Sequence, residues 1–144
     1  MSKKSFFLIT VQFSSLLFLF FTSSQPLPFY SLGFIVAGVM LGFWAIMVMR
    51  VSKLRVQPEV HDQSILVING PYKWIRHPMY SSLILFTFGL FLSSVSWWRL
   101  VLLLIFIDNL RLKINYEEAL LVKHFQKKYI HYQQVTSKVI PLIW

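Results

Sequence analysis

The chain has 144 residues, of which 56% are hydrophobic and only 13% charged, with a mean hydropathy of +0.62. Soluble domains carry roughly 45–50% apolar and about 25% charged residues, so this composition argues against a water-soluble globular domain, and 14 Phe, 5 Trp and 6 Tyr argue against disorder. Fourteen Lys and Arg against five Asp and Glu give +9, which fits nucleic acid or a membrane surface, while the lack of Cys removes disulfides, thiolate nucleophiles and Cys-rich zinc sites.

In chain order, the apolar runs come first. A helix needs roughly 20 apolar residues to cross a bilayer core. Residues 6–21 (FFLITVQFSSLLFLFF) are uncharged but on the short side, and residues 29–49 are long enough without help. A third candidate covers about 79–95 and a fourth about 97–110, which contains Asp108 and is therefore short or enters a protein-lined polar region. The turns are 22–28, where two prolines stop a helix, and 93–99. The predicted fold is all-α and polytopic: four transmembrane helices in two hairpins, then a C-terminal amphipathic cytoplasmic helix. Residues 1–56 form the N-terminal helical hairpin and 57–144 the core of one integrated membrane domain.

The basic residues agree with this pairing. Of the fourteen, only Arg99 falls in a hairpin tip, and the rest lie on one side. That is the positive-inside pattern, with both termini cytoplasmic. The positive charge then reflects topology and attraction to anionic lipid, and no nucleic-acid partner is expected because no basic stripe sits on a soluble module. Lys3-Lys4 followed by an apolar run also has the outline of a signal peptide, but without an A-x-A site. The oligomeric state is not readable from the sequence.

Polar residues concentrate in a loop, 50–77, and a tail, 111–144. In the loop, Gln57-Pro58 and Asn69-Gly70-Pro71 mark turns around SILVI, residues 64–68, a strand or an extended stretch along the membrane surface. Then comes Gly70-Pro71-Tyr72-Lys73-Trp74-Ile75-Arg76-His77-Pro78-Met79-Tyr80 at the mouth of the third span. Pro78 suits the first turn of a helix, whose free N–H groups, with Arg76, His77 and the aromatic faces of Tyr72, Trp74 and Tyr80, form a place for a charged, partly aromatic ligand. An interfacial belt of Trp and Tyr with a snorkelling Arg accounts for the same residues. In the tail, residues 114–132 predict a helix with Leu121, Phe125, Tyr129 and Tyr132 on one stripe and lysines on the other side. Glu117-Glu118 either complement the helix dipole or offer a carboxylate to ligand hydroxyls and amines.

Together these segments resemble the isoprenylcysteine carboxyl methyltransferase family and its phospholipid methyltransferase relatives. The residues that carry the resemblance are Gly70, Tyr72, Arg76-His77-Pro78 and Tyr80, then Glu117-Glu118, Leu121, Phe125, Tyr129, Tyr132 and Pro141. It covers about 57–141; spans one and two match by hydropathy alone. The resemblance implies a cytoplasmic S-adenosylmethionine (SAM) site with cofactor contacts from Gln57, Ile65, Leu66, Val67, Tyr72, His77, Pro78, Tyr80 and Glu117. It implies Arg76 and Lys113 as catalytic candidates, with Lys113 standing where the family has an Arg that holds a substrate carboxylate. Ser81 and Gln126 stand where Gly is usual, the latter read as a surface change. The lipidic or prenylated substrate is expected to enter between spans three and four, where Gly89 and small Ser residues set the packing.

SAM carries its own activated methyl group, so the protein needs neither a metal nor a nucleophilic side chain. The four histidines show no H-E-x-x-H or comparable spacing, and no metal site is expected. A carboxylate acceptor needs no base. An amine acceptor, as in phospholipid N-methylation, needs deprotonation, with His77, His124 or Glu118 as helpers. An NADPH-dependent relative of the sterol reductases, which share a run like the first motif, and a non-enzymatic membrane protein are the remaining alternatives.

Overall fold

The structure, a computed structural model, describes residues 3–24, 26–51 and 66–140. Among them are five α-helices and one 3₁₀ turn: α1 (Lys3–Phe21), α2 (Phe29–Val51), the 3₁₀ turn (Gly70–Lys73), α3 (Pro78–Ser93), α4 (Trp97–Phe125) and α5 (Lys127–Val135). Described residues 66–68 have no regular secondary structure and form no strand; an isolated parallel bridge joins Ile75 to Ser137. The all-helical expectation holds. Phe29–Arg50 is long and apolar enough to cross a membrane, and Phe6–Phe21 and Pro78–Ser93 are apolar but shorter. Only 11% of the apolar window in α2 is buried, unlike the core helix of a soluble protein.

The chain forms two compact units: Met1–Val39 with Leu83–Lys113, and Met40–Ser82 with Ile114–Trp144. In the first, helix ends without water pose the main problem, because the last carbonyls of a helix have no partner within it. Arg99 is fully buried and meets this need. Its Nη1 donates to the carbonyls of Thr22 (3.2 Å) and Ser94 (2.9 Å), and its Nη2 to those of Leu19 (3.1 Å) and Leu90 (2.6 Å). One guanidinium thus closes the C-terminal ends of α1 and α3, where the helix dipoles also favour a cation. It lies 5.9 Å from the Trp98 ring centroid, within cation–π range. The one basic residue at a hairpin tip is therefore a structural clamp.

Other polar ties in this unit are buried as well. Asn109 Nδ2 donates to the Leu8 carbonyl at 3.0 Å, and Ser31 Oγ to the Gly89 carbonyl at 2.6 Å. A Cβ on Gly89 would stand 2.8 Å from Ile35 Cγ1 and 2.9 Å from the Ser31 oxygen. Gly89, expected to set the gap between spans three and four, instead serves the close approach of α3 to α2.

The fourth span and the tail helix were expected as separate segments. The structure makes them one helix, α4, because neither Gly nor Pro interrupts residues 97–125 and charged residues such as Asp108 do not stop a helix. The break falls at Gln126, so the expected single stripe is split, with Leu121 and Phe125 on α4 and Tyr129 and Tyr132 on α5. Gln126 has φ 49° and ψ −126°, a conformation that favours glycine. Its side chain is exposed, but the substitution is more than a surface change: the strain is in the backbone. The turn is fixed by the Gln126 carbonyl, which accepts from the N–H groups of Tyr129 (3.1 Å) and Ile130 (3.2 Å).

Two variants test these devices. Replacing Arg99 by Met leaves the Thr22 and Ser94 carbonyls without this donor and is expected to destabilise the fold by about 2–4 kcal/mol, read as a lowered denaturation midpoint in detergent. Gln126→Gly is expected to raise the same midpoint, because relief of about 1–2 kcal/mol of left-handed strain exceeds the added chain entropy of roughly 0.5–1 kcal/mol.

Candidate active site

The second unit carries the motif residues. Gly70 enters the 3₁₀ turn with φ +60°, and a Cβ there would lie 2.7 Å from Val48 Cγ2. The turn buries Pro71 and Tyr72, and Tyr72 joins a cluster with Ala45 and Val67 against Val48, Met49 and Met79. Beyond it the chain runs alongside the tail. The N–H groups of Arg76 and His77 donate to the carbonyls of Ser137 (2.8 Å) and Lys138 (3.1 Å), and the Ser137 N–H donates to the Trp74 carbonyl (3.0 Å). Pro78 opens α3 without loss of a hydrogen bond, which leaves His77 at the helix entrance with its carbonyl accepting from Tyr80 and Ser81.

Arg76 is the centre of this arrangement. Its Nε donates to Glu118 Oε1 at 2.9 Å, and its Nη1 donates to the carbonyls of Gln133 (3.0 Å) and Thr136 at the C-terminal end of α5. Glu118 also lies 3.4 Å from His77 Nε2 through Oε1 and 3.4 Å from Lys138 Nζ through Oε2. Burial alone would raise the Glu118 carboxyl. The hydrogen bonds and charges of His77 and Arg76 outweigh it and hold the group at about 2, down from its ordinary 4.5. Glu118 is thus a fixed anion and a poor proton acceptor, which removes it from the helpers considered for an amine acceptor.

Glu117, the neighbouring carboxylate, shares His77 but has Tyr80 as its own partner. The Tyr80 hydroxyl donates to its Oε1, and His77 Nδ1 stands 3.9 Å from its Oε2. The Tyr72 hydroxyl is buried without a hydrogen-bond partner, as is that of Tyr129. Burial and then the charge of Glu117 push the Tyr72 hydroxyl well above the ordinary tyrosine range, and burial and then Glu118 do the same for Tyr129. Both remain protonated donors. The Tyr132 hydroxyl donates to the Tyr72 carbonyl at 2.5 Å, which ties α5 to the turn.

Tyr72, His77, Pro78, Tyr80 and Glu117 therefore come together, with Val67 packed behind Tyr72. Leu66 lines a separate groove nearby in the same unit. Gln57 and Ile65 lie outside the described residues. Lys113 belongs to the first unit, where its Nζ donates to Gln12 Oε1 at 3.1 Å. The sequence reading missed Lys138 and Thr136, which have no local signature because their partners are sixty residues away in the case of Thr136 and twenty in that of Lys138. Ser81 was noted only for not being Gly; its hydroxyl donates to the Val139 carbonyl at 2.6 Å and pins the tail.

Residues 27–128 match the phospholipid methyltransferase family, a span of more than half the chain. The protein belongs to this family, and membership implies a methyltransferase; the exposed apolar α2 accords with a membrane protein. No curated protein matches the chain.

The lowered Glu118 pKa fixes the sign of a pH effect. Its contribution to stability is complete above about 4.5 and is lost as pH falls through about 2. Wild-type protein is expected to lose stability over this window relative to Glu118→Gln, which lacks the ionised partner throughout; denaturation midpoints of both proteins across the window measure the difference.

Proposed function

We propose that the protein is a SAM-dependent methyltransferase acting on a lipidic acceptor at the cytoplasmic face of a membrane, with its cofactor site in the 57–144 portion of the chain. The observation that carries this reading is the Glu117 carboxylate, held by Tyr80 close to His77, together with the buried, unpartnered Tyr72 hydroxyl, in a chain of the phospholipid methyltransferase family. These residues fit the cofactor. A carboxylate accepts from ribose hydroxyls or an ammonium group, a buried phenol supplies a donor, and tyrosine faces favour a cation. Glu117, Tyr72, His77 and Tyr80 would hold SAM, together with backbone of the extended run that includes Leu66 and Val67. When bound, SAM supplies an activated methyl group on a sulfonium.

The work left to the protein is positioning and exclusion of water. Tyr80 fixes one oxygen of Glu117, so that this carboxylate keeps a defined direction. Arg76 acts through Glu118 and the end of α5 and is a positioning residue in this reading. The acceptor proposed first is a prenylcysteine-type carboxylate, with Lys113, one turn before Glu117 on α4, as its counter-charge. Phospholipid amine is the second, with His77 or His124 as the base. Four spans with both termini cytoplasmic is the topology that accompanies either acceptor, and it follows from the distribution of Lys and Arg.

The test is SAM binding and methyl transfer in nanodiscs. Wild type is expected to bind SAM, Glu117→Ala to lose binding, and Tyr72→Phe to weaken it by roughly tenfold to a hundredfold, as for a hydrogen bond to a charged or strongly polar group. Absence of binding by the wild type rejects the proposal. Product chemistry separates the acceptors, because a methyl ester releases methanol in alkali and an N-methyl group does not.

A further inference from the structure

Outside the carboxylate cluster, the second unit contains an open groove of about 700 Å³. Its cationic and hydrogen-bonding wall is made of Lys73, Lys128 and His131, and among the described residues no carboxylate lines it. The rest is mostly apolar, from Leu66, Ile68, Phe125 and Val135. Val135 in the lining is 65% exposed, and Trp74 and Ile130, next in sequence to Lys73 and His131, are 55% and 45% exposed. An aromatic residue next to a lysine, with apolar side chains exposed around it, is the composition of a membrane-interface contact.

We propose that this groove seats the headgroup and adjoining glyceryl carbons of an anionic phospholipid that is not the methyl acceptor. Charge complementarity selects the anion. The apolar walls select a lipid over a free anion, since inorganic phosphate would engage only the basic side chains and leave those walls wet. The groove shares Leu66 with the proposed cofactor contacts, but His77, Tyr80, Glu117 and Glu118 do not line it. It is nevertheless in touch with the cluster: Tyr132 lines the groove and donates to the Tyr72 carbonyl. A seated lipid therefore holds α5 against the turn that carries Tyr72. The proposal does not depend on methyl transfer.

The experiment uses full-length protein in bilayers of an equal mixture of phosphatidylcholine and phosphatidylglycerol, extracted into mild detergent, with retained lipid read by native mass spectrometry. Wild type is expected to retain phosphatidylglycerol selectively. Lys73→Ala with Lys128→Ala is expected to lower that retention by roughly thirtyfold, given the usual contribution of two lysines at an anionic surface. Lys123→Ala with Lys127→Ala removes the same charge from exposed positions outside the groove and is expected to retain lipid as wild type does. Equal losses in the two double variants overturn the proposal, since bulk charge then accounts for retention. Displacement by inorganic phosphate as effective as by phosphatidylglycerol overturns it in favour of a simple anion site. Displacement by SAM overturns it in favour of a cofactor groove.

Discussion

The ion pair of Arg76 with Glu118 is the interaction on which the candidate site rests. A single guanidinium holds the carboxylate on α4, the closing carbonyls of α5 and, through the backbone on either side of it, the tail that pairs with Trp74–His77. Both side chains are about nine-tenths buried, so separating them would leave charges with little water. Such pairs add less to net stability than their short distances imply, because desolvation offsets much of the attraction. Their value here is specificity of arrangement. Glu118 takes Arg76 and Lys138, shares His77 with Glu117, and leaves Glu117 to accept from Tyr80. Two adjacent carboxylates thus acquire distinct surroundings, one in a network of cations and one against a tyrosine hydroxyl.

The first unit solves its own polar problem by similar means, with Arg99 in place of a salt bridge. Here the cation is solvated by carbonyl dipoles and an aromatic face. Ser and Thr hydroxyls assist at the same helix ends: Thr22 Oγ1 donates to the Phe18 carbonyl and Ser93 Oγ to the Leu90 carbonyl, each at 2.7 Å. Small hydroxyl residues near the ends of apolar helices are therefore caps, and their abundance in TSS and LSS runs has a local physical cause.

Much of this was legible in the sequence. Helical class follows from long apolar runs with proline-rich turns, and the motif from Gly70 to Tyr80 announces a turn leading into a helix at Pro78. The pairing of Glu117 with Tyr80 was accessible only as a resemblance, because nothing in local spacing brings residues thirty-seven apart together. Arg99 was read as an exception to a charge rule, since its partners are carbonyls and carbonyls have no sequence signature. Gln126 was misread for a related reason: side-chain polarity reports exposure, whereas the constraint at that position is a backbone angle. The length of α4 was hidden by its change from apolar to polar composition, which alters the surroundings of a helix without interrupting its hydrogen bonds.

The two arginines also impose an order on how the chain acquires its structure during synthesis. Every carbonyl that Arg99 binds, at residues 19, 22, 90 and 94, precedes it in the sequence, so its full set of acceptors has been made by the time it leaves the ribosome. Arg76 is the reverse case. Glu118, Gln133 and Thr136 all follow it, and its charge waits for some sixty further residues before its last partner exists. Domains assemble from the N-terminus as they are made, so the ends of α1 and α3 can be closed early in biogenesis, while the surroundings of Arg76 are completed last, after α5 has been translated.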